Sequence, residues 1–211
     1  MTGWTNKSPP WDQRIARALV RPLAATPVTP NQVTTLSLLL GVGGAVLLGF
    51  GATAAYWGAF LYMLAQFVDH MDGELARLTG QTSEFGHRYD HIAGGIFETG
   101  LFCGIGIGLG GNALGGWATT LGFVTAAAVA VTVTIRLVIS QRFGNDAIEQ
   151  PSLLGFEIED IMYLVGPIAW MDGLAVFLLL ASVGLPIYML ATVWGFVRRQ
   201  RDIQHRADAR P

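Results

Sequence analysis

Six largely apolar stretches, at roughly 33–52, 54–78, 88–110, 117–141, 158–171 and 173–197, occupy most of this chain and leave little of it to form a soluble core. A helix that crosses a bilayer needs about 20 apolar residues. In lipid the backbone must close its hydrogen bonds within the protein, which favours helices for stretches of this length. The expected fold is therefore all-α, an integral membrane six-helix bundle. The fifth stretch is the shortest; it either begins earlier or sits tilted among its neighbours. Charged residues make up 13% of the 211, about half the ~25% of a typical soluble domain.

Basic residues fix the expected orientation. Lys7, Arg14, Arg17 and Arg21 precede the first stretch, and Arg77 and Arg88 flank the second link. Arg142 ends the fourth stretch, and Arg198, Arg199, Arg201, Arg206 and Arg210 follow the sixth. The alternate links, near 51–54, 110–116 and 171–173, contain neither Lys nor Arg. The positive-inside rule then places both termini in the cytoplasm of a protein integral to the cytoplasmic (inner) membrane.

Residues 1–30 read as a cytoplasmic or interfacial segment, 31–198 as the six-span membrane domain and 199–211 as a polar cytoplasmic tail. Trp11–Ala24 has the pattern of an amphipathic helix, with Arg14, Arg17 and Arg21 at i, i+3 and i+7. Such a helix lies in the headgroup plane or presents a solvated charged face. Pro30 suits a helix start, with Thr29 or Asn31 as the cap. No cleavable signal peptide is expected, because prolines interrupt the first 30 residues. A net charge of −2 without a basic, aromatic-interleaved tract offers nothing to nucleic acid. The single Cys103 excludes an internal disulfide framework.

The chemistry gathers in Asp69-His70-Met71-Asp72-Gly73-Glu74-Leu75-Ala76-Arg77, followed by Gly86 and Asp90. Asp69 and Asp72, at i and i+3, share one helix face. Carboxylates at the edge of a membrane span mark a working site by default. Clustered hard oxygen donors suit Mg²⁺, Mn²⁺ or Ca²⁺, and a Mg²⁺ held by few carboxylates completes its shell with water or substrate phosphate. Phosphate chemistry at a membrane surface follows. The alternative is that the aspartates merely pair with arginines.

These residues closely resemble the signature of the CDP-alcohol phosphatidyltransferases, Asp-x2-Asp-Gly-x2-Ala-Arg-x8-Gly-x3-Asp-x3-Asp. Asp69, Asp72, Gly73, Ala76, Arg77, Gly86 and Asp90 fall in register, and Gly94 stands where the fourth aspartate belongs. Thr29–Thr34 resembles a Pro-Asn-x-x-Thr segment of the family more loosely. The resemblance implies transfer of a substituted phosphate from a CDP-linked donor, such as CDP-diacylglycerol, to a hydroxyl acceptor. CMP is released, within phospholipid biosynthesis. It implies Mg²⁺ or Mn²⁺ as cofactor, two ions in all, with Asp69, Asp72 and Asp90 as ligands. Gly73, Ala76, Arg77 and Gly86 would contact the CDP moiety, and the protein would be a homodimer.

The fourth aspartate would be a metal ligand and the general base, which Gly94 cannot be. Three explanations compete. Glu98, one turn on, leans back towards the space Gly94 leaves and is a candidate replacement base. Its rival role is an ion pair with Arg136. His91 has a suitable ordinary pKa, but its rotation of about 100° from Asp90 directs it to a neighbour or the headgroups. Alternatively, no base is needed from this position. In the third case the protein binds a CDP-type nucleotide without transfer, or hydrolyses it.

Glu157 and Asp160, before the fifth stretch, read as favourable charge at a helix start or as a wall of the acceptor pocket. Arg136 is expected to face the cavity, and Arg142 to anchor the span. Gly100, Gly104 and Gly108 line one helix face, for interior packing or for a dimer.

Overall fold

The structure is a computed structural model that describes residues 11–111, 114–143, 152–153, 156–157 and 162–208. Helix α1 runs over Trp11–Leu23, α2 over Pro30–Phe50, α3 over Ala52–Thr79, α4 over Glu84–Gly108 and α5 over Gly116–Phe143. Two short strands, β1 (Ser152–Leu153) and β2 (Phe156–Glu157), pair antiparallel. Helices α6 (Val165–Trp170) and α7 (Leu174–Asp208) follow.

Four helices, α2, α4, α5 and α7, contain segments long and apolar enough to cross a membrane. Helix α3 is 28 residues long but carries the acidic cluster in its C-terminal part. The fifth expected span requires correction. Over 158–171 the described helix is only Val165–Trp170, six residues. At 1.5 Å per residue it is about 9 Å long, far short of a bilayer. Residues 158–161 lie outside the described residues.

Glycines set how closely the helices approach. A Cβ at Gly44 would lie 2.7 Å from the Gly58 carbonyl oxygen, and one at Gly58 2.6 Å from that of Gly44, so α2 and α3 cross there with nothing between their backbones. Gly106 and Gly122 do the same for α4 and α5, at 2.8 Å and 2.7 Å from each other's Cα. The stripe of Gly100, Gly104 and Gly108 faces α2. A Cβ on Gly104 or Gly108 would overlap the Ala45 or Leu48 carbonyl. Close backbone approach through small residues is the usual way membrane helices gain packing contact. Of the two uses expected for this stripe, interior packing is the observed one.

The main core joins Tyr62, Phe97, Leu101, Phe102 and Ile105 with residues of α5, α6 and α7. A second core, Val20, Val33, Val68 and Leu75, lies under α1. Ala16 and Val20 are buried there, while Arg17 reaches out to α3. Cys103 is a free, half-buried thiol packed against the main core.

Candidate active site

Three helix ends build the site. Thr29 occupies the N-cap of α2, and its N–H donates to Gln32 Oε1 at 3.0 Å with Pro30 at the first helical position. This start puts Thr34 and Ser37, i and i+3, on the face that meets α3. Thr34 Oγ1 donates to Asp72 Oδ2, and Ser37 Oγ donates to Asp69 Oδ1 at 3.2 Å. Helix α3 ends at Gly80, whose φ of 68° is left-handed, a conformation that suits a residue without a side chain. Helix α4 restarts after Ser83, whose Oγ accepts the Gly86 N–H at 2.9 Å. This short reversal carries Asp90 back against the α3 aspartates.

Ligand atoms of Asp69, Asp72 and Asp90 come within 4.8 Å of one another. Asp72 is buried, as are Thr34 and Ser37. Among the described residues no Lys or Arg ion pair engages Asp69 or Asp72, which sets aside arginine pairing as their purpose there. Converging carboxylates held by neutral hydroxyls repel one another, and an all-oxygen donor set of this kind fits a hard divalent cation.

A cavity of about 330 Å³ opens beside them, lined by Asn31, Thr34, Asp72, Gly73, Ala76, Arg77, Gly86 and Asp90, among others. At Gly73 the nearest atoms a Cβ would meet are those of the Arg77 guanidinium, at an ordinary contact distance of 3.6 Å, so this face of α3 has room. At Gly86 a Cβ would press on Ser83 Oγ at 3.0 Å and Asn31 Oδ1 at 3.2 Å, so glycine there also protects the cap of α4. Arg77 lines the cavity, but its Nη2 donates to Glu74 Oε1 at 2.7 Å. The other oxygen of Glu74 lies 3.3 Å from Arg17 Nε. Buried Glu74, shared between two arginines, was not singled out by the sequence reading. Its signal was the i, i+3 spacing to Arg77.

A second cavity, about 210 Å³, lies on the other side of Asp90 and is lined by Asp69, Asp90, His91, Gly94, Gly95, Glu98, Val133 and Arg136. Beyond its chain neighbours and the backbone of its own helix, no atom lies within 4 Å of where a Gly94 Cβ would be, so the position of the missing carboxylate opens on empty space. Glu98 and Arg136 border that space together, and Arg136 does face the cavity as its depth suggested. Arg142 is exposed near the end of α5. Asp160 and the side chain of Glu157 lie outside the described residues.

His91 extends an expectation. Its side chain lines this cavity, with Nδ1 3.8 Å from Asp90 Oδ2, as well as packing on a neighbouring ring. The cleft spans more of α4 than one residue's arc, so a 100° step keeps His91 inside it. His87, one turn earlier, was missed. Its ring centroid is 4.4 Å from that of His91, and its Nε2 is 3.2 Å from Ser140 Oγ on α5. The available signal was the histidine pair at i and i+4 flanking an aspartate.

The pattern of the CDP-alcohol phosphatidyltransferases matches residues 27–197 of the chain. A bifunctional IPC transferase and DIPP synthase of Rubrobacter xylanophilus is 36% identical over 88 residues, 42% of this chain and 20% of that protein. The protein of the same name from Thermococcus kodakarensis is 38% identical over 73 residues, 35% of this chain and 16% of that protein. The matched region thus spans a fifth or less of these relatives' length. Among solved structures, the Mycobacterium tuberculosis phosphatidylinositol phosphate synthase with CDP-DAG bound superposes with a TM-score of 0.60. It is 23% identical, over 87% of this chain and 94% of that one. At that identity the likeness is one of fold.

Proposed function

The chain belongs to the CDP-alcohol phosphatidyltransferase family, and from that premise we propose that it transfers a substituted phosphate from a CDP-linked donor to a hydroxyl acceptor, releasing CMP, in phospholipid biosynthesis. The observation that carries the reading is the convergence of Asp69, Asp72 and Asp90 on the rim of a cavity lined by Gly73, Ala76, Arg77 and Gly86. The donor class follows from the family and agrees with the CDP-DAG bound to the mycobacterial synthase.

Asp69, Asp72 and Asp90 would hold Mg²⁺ or Mn²⁺, two ions in all. When bound, such ions neutralise charge on a diphosphate and clamp the attacking and leaving oxygens. Gly73, Ala76 and Gly86 keep the cavity wall small enough for the CDP moiety. Arg77, anchored by Glu74, offers its remaining donors to phosphate. In the transfer the acceptor oxygen bonds to the phosphorus beside the lipid alcohol, and the bond from that phosphorus to CMP breaks. The hydroxyl proton passes to Glu98, which borders the same space as Asp90 and Gly94. The protein is placed in the cytoplasmic membrane as a homodimer. The site and both termini face the cytoplasm, with α2, α3, α4, α5 and α7 crossing the membrane and the fifth segment, which contains α6, making the remaining crossing that an even count requires. Helix α1 lies at the interface.

One observation favours a second reading. The empty space at Gly94 admits water beside Asp90, which suits hydrolysis of the donor, or nucleotide binding without transfer.

The test is CMP release from CDP-diacylglycerol by the purified protein with Mn²⁺ or Mg²⁺, with and without acceptor alcohols. Acceptor-dependent release that is lost in both Asp69→Asn and Glu98→Gln supports the transferase. Release indifferent to acceptors means a hydrolase. Metal-dependent CDP binding without release from this or any other CDP-linked donor means a non-transferring homologue.

A further inference from the structure

Two groups of metal-ligating side chains meet at Asp90. One is the all-oxygen set Asp69, Asp72 and Asp90; the other is His87, Asp90 and His91, whose ligand atoms also lie within 4.8 Å of one another. His87 lines the larger cavity, His91 the smaller one, and Asp90 both. From this geometry we infer that His87, Asp90 and His91 form a mixed nitrogen–oxygen site for a transition-metal ion, such as Mn²⁺, Co²⁺ or Zn²⁺, at the junction of the two cavities.

The donor set decides the metal. His87 and His91 are at i and i+4, the spacing at which two imidazoles on one helix face grip a single ion. Two imidazoles and one carboxylate leave open coordination positions and select first-row transition metals over Mg²⁺. Neutral imidazole is a poor ligand for Mg²⁺, which prefers oxygen. A ligating histidine usually fixes its ring through the nitrogen that does not bind metal. His87 has that arrangement, with Nε2 3.2 Å from Ser140 Oγ, which leaves Nδ1 for the ion. The nitrogens also explain how the chain tolerates Gly94. A carboxylate missing from one side of Asp90 is replaced by imidazoles one and two turns back on the same helix.

The site is part of the centre assigned above but stands without transfer, so binding is measured in the absence of any nucleotide. The full chain in detergent, saturated with Mg²⁺, is titrated with Co²⁺. The expected result is one Co²⁺ that Mg²⁺ does not displace, with d–d absorption bands. His91→Ala and His87→Gln should weaken it by about tenfold or more, while Asp72→Asn keeps it. Pulsed electron paramagnetic resonance of Mn²⁺ bound to the unmodified protein should show coupling to nitrogen, a reading that does not depend on any variant folding. Absence of nitrogen coupling, or Co²⁺ affinity unchanged in both histidine variants, overturns the site. Failure of CMP release with this site intact would count against the transferase reading alone.

Discussion

At the scale of single residues, the site depends on groups that support the carboxylates as well as on the carboxylates themselves. The Thr34 hydroxyl reaches both the Pro30 carbonyl, at 3.1 Å, and Asp72, and so holds that carboxylate in a buried pocket. Thr34→Val keeps the shape and removes the donor. Metal affinity, measured by titration calorimetry, should fall by about 10–100-fold, the usual cost of losing a partner behind a metal ligand, with the helices intact by circular dichroism. Gly94 makes the opposite case, since its Cβ position is open. Gly94→Asp should therefore fold normally. Placed on Glu98→Gln, it should restore CMP release by about 10²-fold or more, the range a positioned base contributes. No rescue would mean that the proton leaves by another route.

At the scale of elements, the helix boundaries show what sequence can carry. The stretches expected at 33–52, 54–78, 88–110 and 117–141 are met by α2, α3, α4 and α5 to within a few residues, because long apolar runs have few ways to satisfy their backbones. The start of α4 was misplaced by four residues. The apolar run begins late, whereas the helix begins at its cap, Ser83. The fifth stretch differs from a single long helix, because apolarity alone does not show where a run is helical: its described α-helix covers only Val165–Trp170. The three motif aspartates were legible from spacing. The second side of the site was not, because His87 and Ser140 meet only through the α4–α5 crossing. In that crossing and the α2–α4 crossing, glycines bring the backbones into direct contact. Gly108→Ala, which drives a methyl into the Leu48 carbonyl, should cost about 1–3 kcal/mol as overpacking. Gly94→Ala on the same helix should gain up to about 1 kcal/mol from propensity alone. Opposite shifts in thermal midpoint, read on protein in one detergent, check the pair.

At the scale of the whole molecule, the proposed orientation makes a sharp statement about its two ends. Gln81 sits in the exposed α3–α4 link beside the site, and Met171 is 82% exposed in the α6–α7 link. Cys103 is the only native thiol, so a Cys103→Ser background is clean for labelling. A membrane-impermeant maleimide added to intact cells should modify Met171→Cys and spare Gln81→Cys, and inverted vesicles should give the reverse. Labelling of both from the same side would overturn the arrangement. The glycine stripe of α4, already occupied by α2, is withdrawn from any contact between two copies. Association would have to use side chains that now face outward.

Asp90 is the one residue common to the linings of the two cavities. The two spaces adjoin across this carboxylate, so under the proposed transfer each substrate would have a space of its own. Donor and acceptor would then be resident together and meet face to face. Neither has to leave part of itself on the protein and depart before its partner arrives.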